Sequence, residues 1–546
     1  MNGRHLRLVI PAVFFATLYT LLLLTVLAKF VKSVGLFSIV FYVIPIFVLI
    51  VVVLFPRIIK SRKRKEIEDN IHFYITHLGA LATSEIGRKE MMKILSERKE
   101  YKALAEETRK IYLLMEKWNK SLAQACRFVA KRTPSKILSD FLDRMAHELD
   151  SGEDFRDFIR REQNVVMNSF STLYQGKLYS IDVFKEVYVS VLISVSFFAS
   201  FAIIAPFLTG LNVLFVLNLV IIFLIIIEIG LLIYVKAVSP VDPIWQTSGK
   251  ITQVDWKIYK AFYISCVLCL IVFSSILFSI FVFKLFDMPI PFIVALTMSP
   301  LVIPGIISKR EENKIVDRDR NAPSFIMSLG ASASAMGGNI LNALKFLTTH
   351  DFGELTECVI ALYKRLCTRM NKKLAWERFG IETCSNLIFR FTDMFVEAIS
   401  LGSDPKDVAE IVSSNFTIIN SLRERRARSV SSLIGICYGT IIGIAFSLYV
   451  SYGVIETMSK LYSSLNIPSS ITGGILYPLS GVDLTFINLA IQLVLIFHAI
   501  IASIIVKIVD GGRWMSGLVH MVGMLWVAAI SGYISQTLIS HMLSIR

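Results

Sequence analysis

The sequence predicts an all-α, polytopic membrane protein with about nine transmembrane helices and two duplicated cytoplasmic helical bundles. The chain of 546 residues has a mean hydropathy of +0.63 and 18% charged residues, against about 25% in soluble proteins. Its apolar residues gather into runs of about 20 residues, the length that crosses a bilayer core of about 30 Å. The charged stretches between the runs have helical periodicity. These observations exclude a disordered or fibrous protein and disfavour a soluble enzyme.

Nine apolar runs are long enough to span a membrane. Arg4 and Arg7 precede the first run, as in a signal peptide, but no small-residue cleavage site follows and a second run comes at once. We therefore expect the first run to be a retained anchor. The predicted spans cover residues 9–28, 35–56, 187–207, 212–235, 262–283, 288–307, 430–454, 487–508 and 517–538.

Basic residues predict the orientation. Of the 57 Lys and Arg residues, 26 lie in residues 57–186 and 18 in residues 308–428. By the positive-inside rule both segments face the cytoplasm. Nine spans then place the N-terminus in the cytoplasm and the C-terminus outside. The two segments also hold 20 and 15 acidic residues, so their basic excess is modest. No nucleic-acid partner is expected, whereas the basic cluster at residues 57–65 would attract anionic membrane lipid.

The domain organisation follows from these runs and segments. The charged segments carry apolar residues at helical spacing, as in Ile67, Ile71, Tyr74 and Leu78, and β-hairpin turns are absent from them. The predicted domains are 1–56 (two transmembrane helices), 57–186 (bundle 1), 187–307 (four transmembrane helices), 308–428 (bundle 2) and 429–546 (three transmembrane helices).

The two cytoplasmic segments match each other at an offset of about 250 residues, which indicates a duplication. The segment Asn119–Ala123 also resembles Asn371–Ala375 after a slip of two residues. The other matched pairs are Asn70 with Asn321, Leu78-Gly79-Ala80 with Leu329-Gly330-Ala331, Gly87 with Gly338, and Phe141, Asp143, Gly152, Asp154 and Asp157 with Phe391, Asp393, Gly402, Asp404 and Asp407.

Each copy ends in a glycine turn followed by a capping aspartate, Asp154 or Asp404, at a helix start. Apart from Pro405, the first helical residue of the second copy, no proline follows these turns until Pro206 in the first copy and Pro468 in the second. We therefore expect the last helix of each bundle to continue directly into the third or the seventh span.

Motifs for catalysis and cofactor binding are missing. The sequence has no phosphate-binding loop, no HExxH and no GxSxG. Cys266 and Cys269 have the spacing of metal ligands, but a zinc site needs four ligands and no second pair lies nearby. We predict no catalytic, cofactor-binding or metal-binding residue, and hence no enzyme.

Two features are candidate sites. Glu228 lies in the middle of an apolar run, where a carboxylate is expensive to bury and is often functional. His498 or His520 could pair with it in a purely structural contact. The second feature is the run of Arg423, Arg425, Arg426 and Arg428 at the base of the seventh span. It could bind an acidic partner, or it could simply flank the span.

The duplicated Leu-Gly-Ala and Gly-x-Asp segments, together with Trp376–Gly380 and Phe391–Asp393, carry a resemblance. The chain resembles the F-domain family of type II secretion and type IV pilus inner-membrane platform proteins. Within that superfamily it is similar to the archaellum assembly platforms of archaea, because of its length and its extra N-terminal pair of spans.

The resemblance implies the membrane core of a filament-assembly machine, working as a two-fold homodimer. A hexameric secretion ATPase would dock on the cytoplasmic bundles, and archaellin or pilin subunits would pass from the bilayer into the filament. The ATPase-contact candidates, chosen by charge and position, are Arg423, Arg425, Arg426 and Arg428, with Lys63 and Arg64 secondary.

Two alternatives stay open. The same architecture fits an archaeal adhesion-pilus platform. A secondary transporter using Glu228 is a different class, and the four prolines of the sixth span, Pro289, Pro291, Pro300 and Pro304, favour it.

Overall fold

The computed structural model describes residues 61–209, 213–279, 288–465 and 484–543. Within these ranges the chain is built from α-helices and short 3₁₀ turns, without a β-strand. The all-α prediction is therefore confirmed for this part of the chain. The predicted spans 9–28 and 35–56 lie outside the described residues.

Residues 61–68 are helical, and seventeen further helices follow them in the described ranges. We number them α1 Ile71–Ala82, α2 Arg88–Glu97, α3 Ala103–Trp118, α4 Leu122–Ala130, α5 Lys136–Asp150, α6 Phe155–Thr209, α7 Val213–Val238, α8 Gln253–Phe278, α9 Ile290–Met298, α10 Val302–Ala335, α11 Ile340–Leu347, α12 Thr356–Cys367, α13 Lys372–Glu382, α14 Asn386–Ser400, α15 Pro405–Leu465, α16 Leu484–Asp510 and α17 Leu518–Leu543.

Seven stretches of the described chain are long and apolar enough to cross a membrane, and each contains most of one of the seven remaining predicted spans. The chain is thus a multi-pass membrane protein. These stretches are Phe155–Ala205, Asn218–Val238, Gln253–Ile276, Ile290–Ala335, Pro405–Leu461, Leu484–Asp510 and Trp514–Met542.

The described chain divides into two compact units. The first contains residues 61–78 and 86–166, which hold most of α1, all of α2 to α5 and the start of α6. Its core includes Tyr74, Leu78, Phe141 and Met145, which are fully buried.

The second unit contains residues 79–85 and the described residues from Met167 onward. Its helical bundle consists of the C-terminal part of α10, α11 to α14 and the start of α15. An aromatic core fills this bundle. The ring centroids of Phe325 and Phe379 lie 5.9 Å apart, and those of Phe391 and Phe416 lie 4.9 Å apart.

The duplication is visible in the helix bounds. Both ends of α14 lie 250 positions after the corresponding ends of α5, and α15 begins 250 positions after α6. Gly152 and Gly402 make the preceding turns with φ of +83° and +94°, a conformation that favours glycine. Asp154 Oδ1 then accepts from the amide of Arg156 at 2.8 Å, and Asp404 caps α15 in the same way.

The structure corrects one detail of the repeat. Ser121 is the N-cap of α4 and Asn371 is the N-cap of α13, again 250 positions apart. The two-residue slip between Asn119 and Asn371 was therefore wrong. Asn119 instead ends α3 in a left-handed conformation, a role that asparagine tolerates well.

The prediction that bundle helices continue into the membrane is confirmed. Helix α6 has 55 residues and α15 has 61, which correspond to roughly 80 and 90 Å. Within the second unit, Ser429 Oγ donates to Asp182 Oδ1 at 2.6 Å and Ser200 Oγ donates to the Ser447 carbonyl at 3.1 Å. Both contacts join residues 247 positions apart, so α6 and α15 run parallel and in constant register.

The second bundle is also continuous with the membrane at its other end. Helix α9 and a 3₁₀ turn at Ser299–Leu301 lead directly into α10, which enters the bundle. Pro300 lies in this turn, where proline interrupts regular α-helical hydrogen bonding. The second bundle is therefore attached to spanning helices through α10 at its start and through α15 at its end.

Candidate functional site

A cluster of charged side chains lies where the second bundle meets the ends of the spanning helices. Two connections contribute to it, residues 239–252 between α7 and α8 and residues 511–517 between α16 and α17. Both contact α10 or α15. We call this cluster the junction. Because both connections contact the second bundle, they lie on the same side of the membrane as that bundle.

Arg423 is the centre of the junction. Its Nη2 and Nε donate to the two carboxylate oxygens of Asp242 at 2.6 and 2.8 Å. Its Nη1 donates to Asp319 Oδ2 at 2.9 Å, and Nη2 also donates to the Pro243 carbonyl at 3.0 Å. Only 14% of the Arg423 side chain is exposed. The planar guanidinium thus binds one carboxylate in a two-point contact and reaches a second, which a lysine could not reproduce.

Asp319 connects this ion pair to the bundle. The hydroxyl of Ser385 donates to Asp319 Oδ1, and Ser385 Oγ also accepts from the amide of Ile388 at 3.1 Å as the N-cap of α14. Asn420 Nδ2 donates to the Asp319 backbone carbonyl at 2.6 Å. The N-cap of α14 and two side chains of α15 therefore hold Asp319 of α10 in place.

The connection after α7 is also bonded to the bundle through its backbone. Gln246 N donates to the Cys384 carbonyl at 2.9 Å, and Asn386 N donates to the Ile244 carbonyl at 3.0 Å. This pair of bonds is an isolated antiparallel β-bridge around Trp245 and Ser385. Burial raises the pKa of the neighbouring Cys384 thiol, which keeps it protonated and unreactive.

Three hydrogen-bond donors from different segments surround the Glu312 carboxylate. Trp245 Nε1 donates to Glu312 Oε1 at 3.1 Å, the Arg513 amide donates to it at 2.8 Å, and Lys507 Nζ lies 3.5 Å away. The guanidinium carbon of Arg513 lies 3.9 Å from the Trp245 ring centroid, a cation–π distance. One buried carboxylate therefore joins α10 to both connections.

The end of α16 is bound from two sides. Lys309 Nζ on α10 lies 3.2 Å from Asp510 Oδ2, and Arg426 Nε on α15 donates to the Val509 carbonyl at 2.7 Å. Gly511 and Gly512 follow with φ of +77° and +70°. A Cβ on Gly511 would lie 2.8 Å from Arg426 Nη2, and one on Gly512 would collide with the Glu312 carboxylate. These positions require glycine both for conformation and for space.

This geometry is suited to mechanical attachment. Removing one partner of a buried ion pair typically costs about 3–5 kcal/mol, because the other charge stays buried and unpaired. The junction therefore resists separation of the second bundle from the spanning helices. Within the described ranges no group of His, Cys, Asp and Glu side chains could hold a metal ion.

The predicted site residues fall into two groups. Arg425 and Arg428 are exposed, and neither makes an ion pair with another described residue. Lys63 and Arg64 are also exposed, and they pair with Glu106 at 3.1 Å and Glu68 at 2.7 Å.

The other two candidates have partners within the chain, and contact of either one with the ATPase stays a prediction. Arg423 and Arg426 are engaged inside the junction, because residues three apart on a helix share a face and this face is covered by the two connections. Glu228, the intramembrane candidate, is buried against His498 rather than His520.

Sequence reasoning missed most of the junction. Asp242, Trp245, Asp319, Glu312 and Arg513 carried no motif. The available signal was Asp242 itself, an acid in a short connection between spans on the side rich in basic residues.

Comparisons with known proteins identify the family. A profile of the type II secretion system (T2SS) protein F family matches residues 74–203, from α1 through most of α6. The flagella accessory protein J of Methanocaldococcus jannaschii is 37% identical over 545 residues, which cover 99% of this chain and 96% of that protein. The flagella accessory protein J of Methanococcus voltae is 36% identical over 542 residues, covering 98% and 96%. No solved structure matches the chain. With two such relatives aligned along nearly its whole length, this chain belongs to the flagella accessory protein J family, membrane proteins related to protein F of type II secretion.

Proposed function

We propose that the chain is the inner-membrane platform of an archaellum assembly machine, which couples a cytoplasmic secretion ATPase to the insertion of archaellin or pilin subunits. The observation that carries the proposal is the attachment of the second bundle to the membrane. Helices α10 and α15 run from this bundle into spans, and the junction fixes the bundle to two further connections. The names of the two relatives, flagella accessory proteins, support the archaellum as the filament.

The mechanism follows from the stiffness of this attachment. A displacement of the second bundle would move α15 along its whole length, because a continuous helix transmits force without a hinge. The parallel contacts of α15 with α6, at Ser429 with Asp182 and Ser447 with Ser200, would pass this motion to a second spanning helix. Motion of the spans would then release filament subunits from the bilayer.

Arg425 and Arg428 are the proposed contacts for the ATPase on this bundle. They lie three residues apart on one exposed face of α15, and neither is neutralised within the described chain. An acidic surface on the ATPase would complement them. Lys63 and Arg64 are secondary candidates in the first unit, where ion pairs already compensate part of their charge.

The proposed arrangement in the membrane has the N-terminus in the cytoplasm and the C-terminus outside. The position of residues 239–252 and 511–517 beside the second bundle supports it, since Lys250 and Arg513 then fall on the same side as the large basic segments. The platform is proposed to be a two-fold homodimer, as the resemblance implies. Membrane lipid would bind the basic residues that flank the spans.

The experiment that tests the proposal is isolation of the protein from native membranes in mild detergent after cross-linking, with mass spectrometry of the co-purified chains. We expect a hexameric secretion ATPase, and archaellins if the filament is an archaellum. Adhesion pilins in their place would assign the platform to the other filament. Repeated isolation without any ATPase would contradict the coupling mechanism.

A charge-reversal pair tests the docking surface. R425E/R428E is expected to reduce recovery of the ATPase at least tenfold with unchanged membrane insertion. R378E/K406E is the matched control, because both side chains are exposed on the same bundle. Equal recovery with the two double variants would remove Arg425 and Arg428 from the interface.

A secondary transporter using Glu228 is the second candidate function, and the burial of Glu228 among spanning helices is the observation that favours it. Proton-driven solute uptake by the purified protein in liposomes, abolished by E228Q, would support this function. Filament assembly that survives E228Q would favour the platform.

A further inference from the structure

Three polar side chains in hydrogen-bond contact lie among the apolar spanning helices, outside the junction. Glu228 is near the middle of the span Asn218–Val238 on α7 and is 3% exposed, and His498 on α16 is 1% exposed. Glu228 Oε1 lies 2.7 Å from His498 Nδ1. His498 Nε2 lies 3.3 Å from the hydroxyl of Thr440 on α15. Three helices therefore meet through three polar side chains.

The direction of these hydrogen bonds depends on Thr440, the last of the three side chains. Thr440 Oγ1 lies 2.9 Å from the Cys437 carbonyl, and a carbonyl oxygen can only accept. Both contacts of Thr440 are hydrogen bonds when its hydroxyl proton points to Cys437 and Thr440 accepts from His498, an arrangement in which His498 Nε2 carries a hydrogen.

With Nε2 protonated, two arrangements remain for the bond to Glu228. A neutral imidazole would accept at Nδ1 from a carboxylic acid, or an imidazolium would donate to a carboxylate. The second oxygen of the acid, Glu228 Oε2, has no hydrogen-bond partner among the described atoms. Because Glu228 is buried, a carboxylate would place charge on this oxygen away from bulk solvent, whereas an acid would leave only a carbonyl there.

Among the described residues, Glu228 forms no ion pair other than the one with His498. Tyr188 on α6, which interacts with both Glu228 and Cys437, is a phenol and brings no positive charge. No proton count changes between the two arrangements, so burial decides in favour of the one without separated charges.

We propose that Glu228 is an intramembrane proton-binding residue, held as a carboxylic acid that donates to neutral His498. Each group then donates to the next: Glu228 donates to Nδ1 of His498, Nε2 of His498 donates to Thr440, and Thr440 donates to the Cys437 carbonyl. This arrangement ties α7 and α16 to α15, the helix that leaves the second bundle, without placing net charge in the bilayer. This inference does not depend on the proposed function.

Nitrogen NMR of His498 in the full-length protein in lipid bilayers tests the proton positions directly. Phe497–His498 is the one Phe-His step in the sequence, so ¹³C-carbonyl phenylalanine with ¹⁵N-histidine assigns this residue without mutation. We expect a protonated Nε2 and an unprotonated Nδ1 at neutral pH. Two protonated ring nitrogens would mean an imidazolium–carboxylate pair and would overturn the proposal.

Variants of Glu228 provide a second readout. E228Q replaces the acid by a neutral amide that can still donate to Nδ1, so we expect an unchanged thermal unfolding midpoint in detergent. E228A should lower the midpoint by several degrees, and N218A, which removes an exposed polar group from the same helix, should leave it unchanged. An equal loss in E228Q and E228A would contradict a donating acid. If E228A does not fold, the wild-type NMR measurement still decides.

Discussion

Arg423 and Asp242 are 181 residues apart in sequence, yet the guanidinium of one binds both carboxylate oxygens of the other, with N–O distances of 2.6 and 2.8 Å. Arg423 lies on the helix that leaves the second bundle, and Asp242 lies in the connection between two spans. A single ion pair thus attaches the bundle to a membrane loop. Its partial burial, with 14% and 12% of the two side chains exposed, makes it sensitive to loss of either partner.

The first prediction concerns this ion pair. R423A should reduce the free energy of unfolding by about 3 kcal/mol, because Asp242 and Asp319 would be left buried without their cation. R423K should recover only part of this loss, since an ammonium cannot bind Asp242 at two points. Chemical unfolding of the purified protein in detergent measures both changes. R425A is the matched control on the exposed face of the same helix, and a loss as large in R425A would refute the central role of Arg423.

The second prediction concerns Gly512. G512A should destabilise the protein by more than about 2 kcal/mol, because it combines an unfavourable positive φ with a collision against Glu312. The control is G337A, where φ is +66° but the Cβ would meet nothing within 4 Å. The difference between the two variants isolates the collision. Equal losses of unfolding free energy would show that the Glu312 contact adds nothing.

The third prediction uses Cys384 to report on the junction. Burial raises the pKa of this thiol, and alkylation requires the thiolate. Cys384 should therefore react with a maleimide far more slowly than the exposed Cys367. D242A should increase the rate at Cys384 at least tenfold, because the connection bonded to the Cys384 carbonyl loses its anchor. Peptide mass spectrometry gives both rates, and an unchanged Cys384 rate with intact folding would mean that the junction holds without Asp242.

The fourth prediction concerns the parallel register of α6 and α15. Ser200 Oγ and Ser447 Oγ lie 2.9 Å apart, so S200C/S447C should form an intrachain disulfide on mild oxidation, in a chain whose seven native cysteines have been replaced. S194C/S447C is the control, because Ser194 is exposed on another face of α6. Gel mobility before and after reduction measures the bond. Cross-linking of the control pair alone would place a different face of α6 against α15.

The local pattern of the chain determined most of the fold. Seven spans, the repeat of 250 residues and the two long helices could be predicted because hydropathy, glycine turns and capping aspartates act over a few residues. The alignment of Asn119 with Asn371 was wrong because the two similar segments differ in structure. Asn119 lies at a helix end, whereas Asn371 lies at a helix start.

Only the tertiary structure decided which charges are available to a partner. The sequence shows four arginines in one run, but helical geometry turns Arg423 and Arg426 to one face and Arg425 and Arg428 to another. Asp242, in the connection after α7, and Val509, at the end of α16, cover the first face from positions 181 and 83 residues away in the sequence. The burial of Arg423 and Arg426 depends on these distant neighbours, which the local sequence around the arginines does not predict. The sequence by itself therefore determined the helices and their order, and the packing of separate segments decided which side chains face inward.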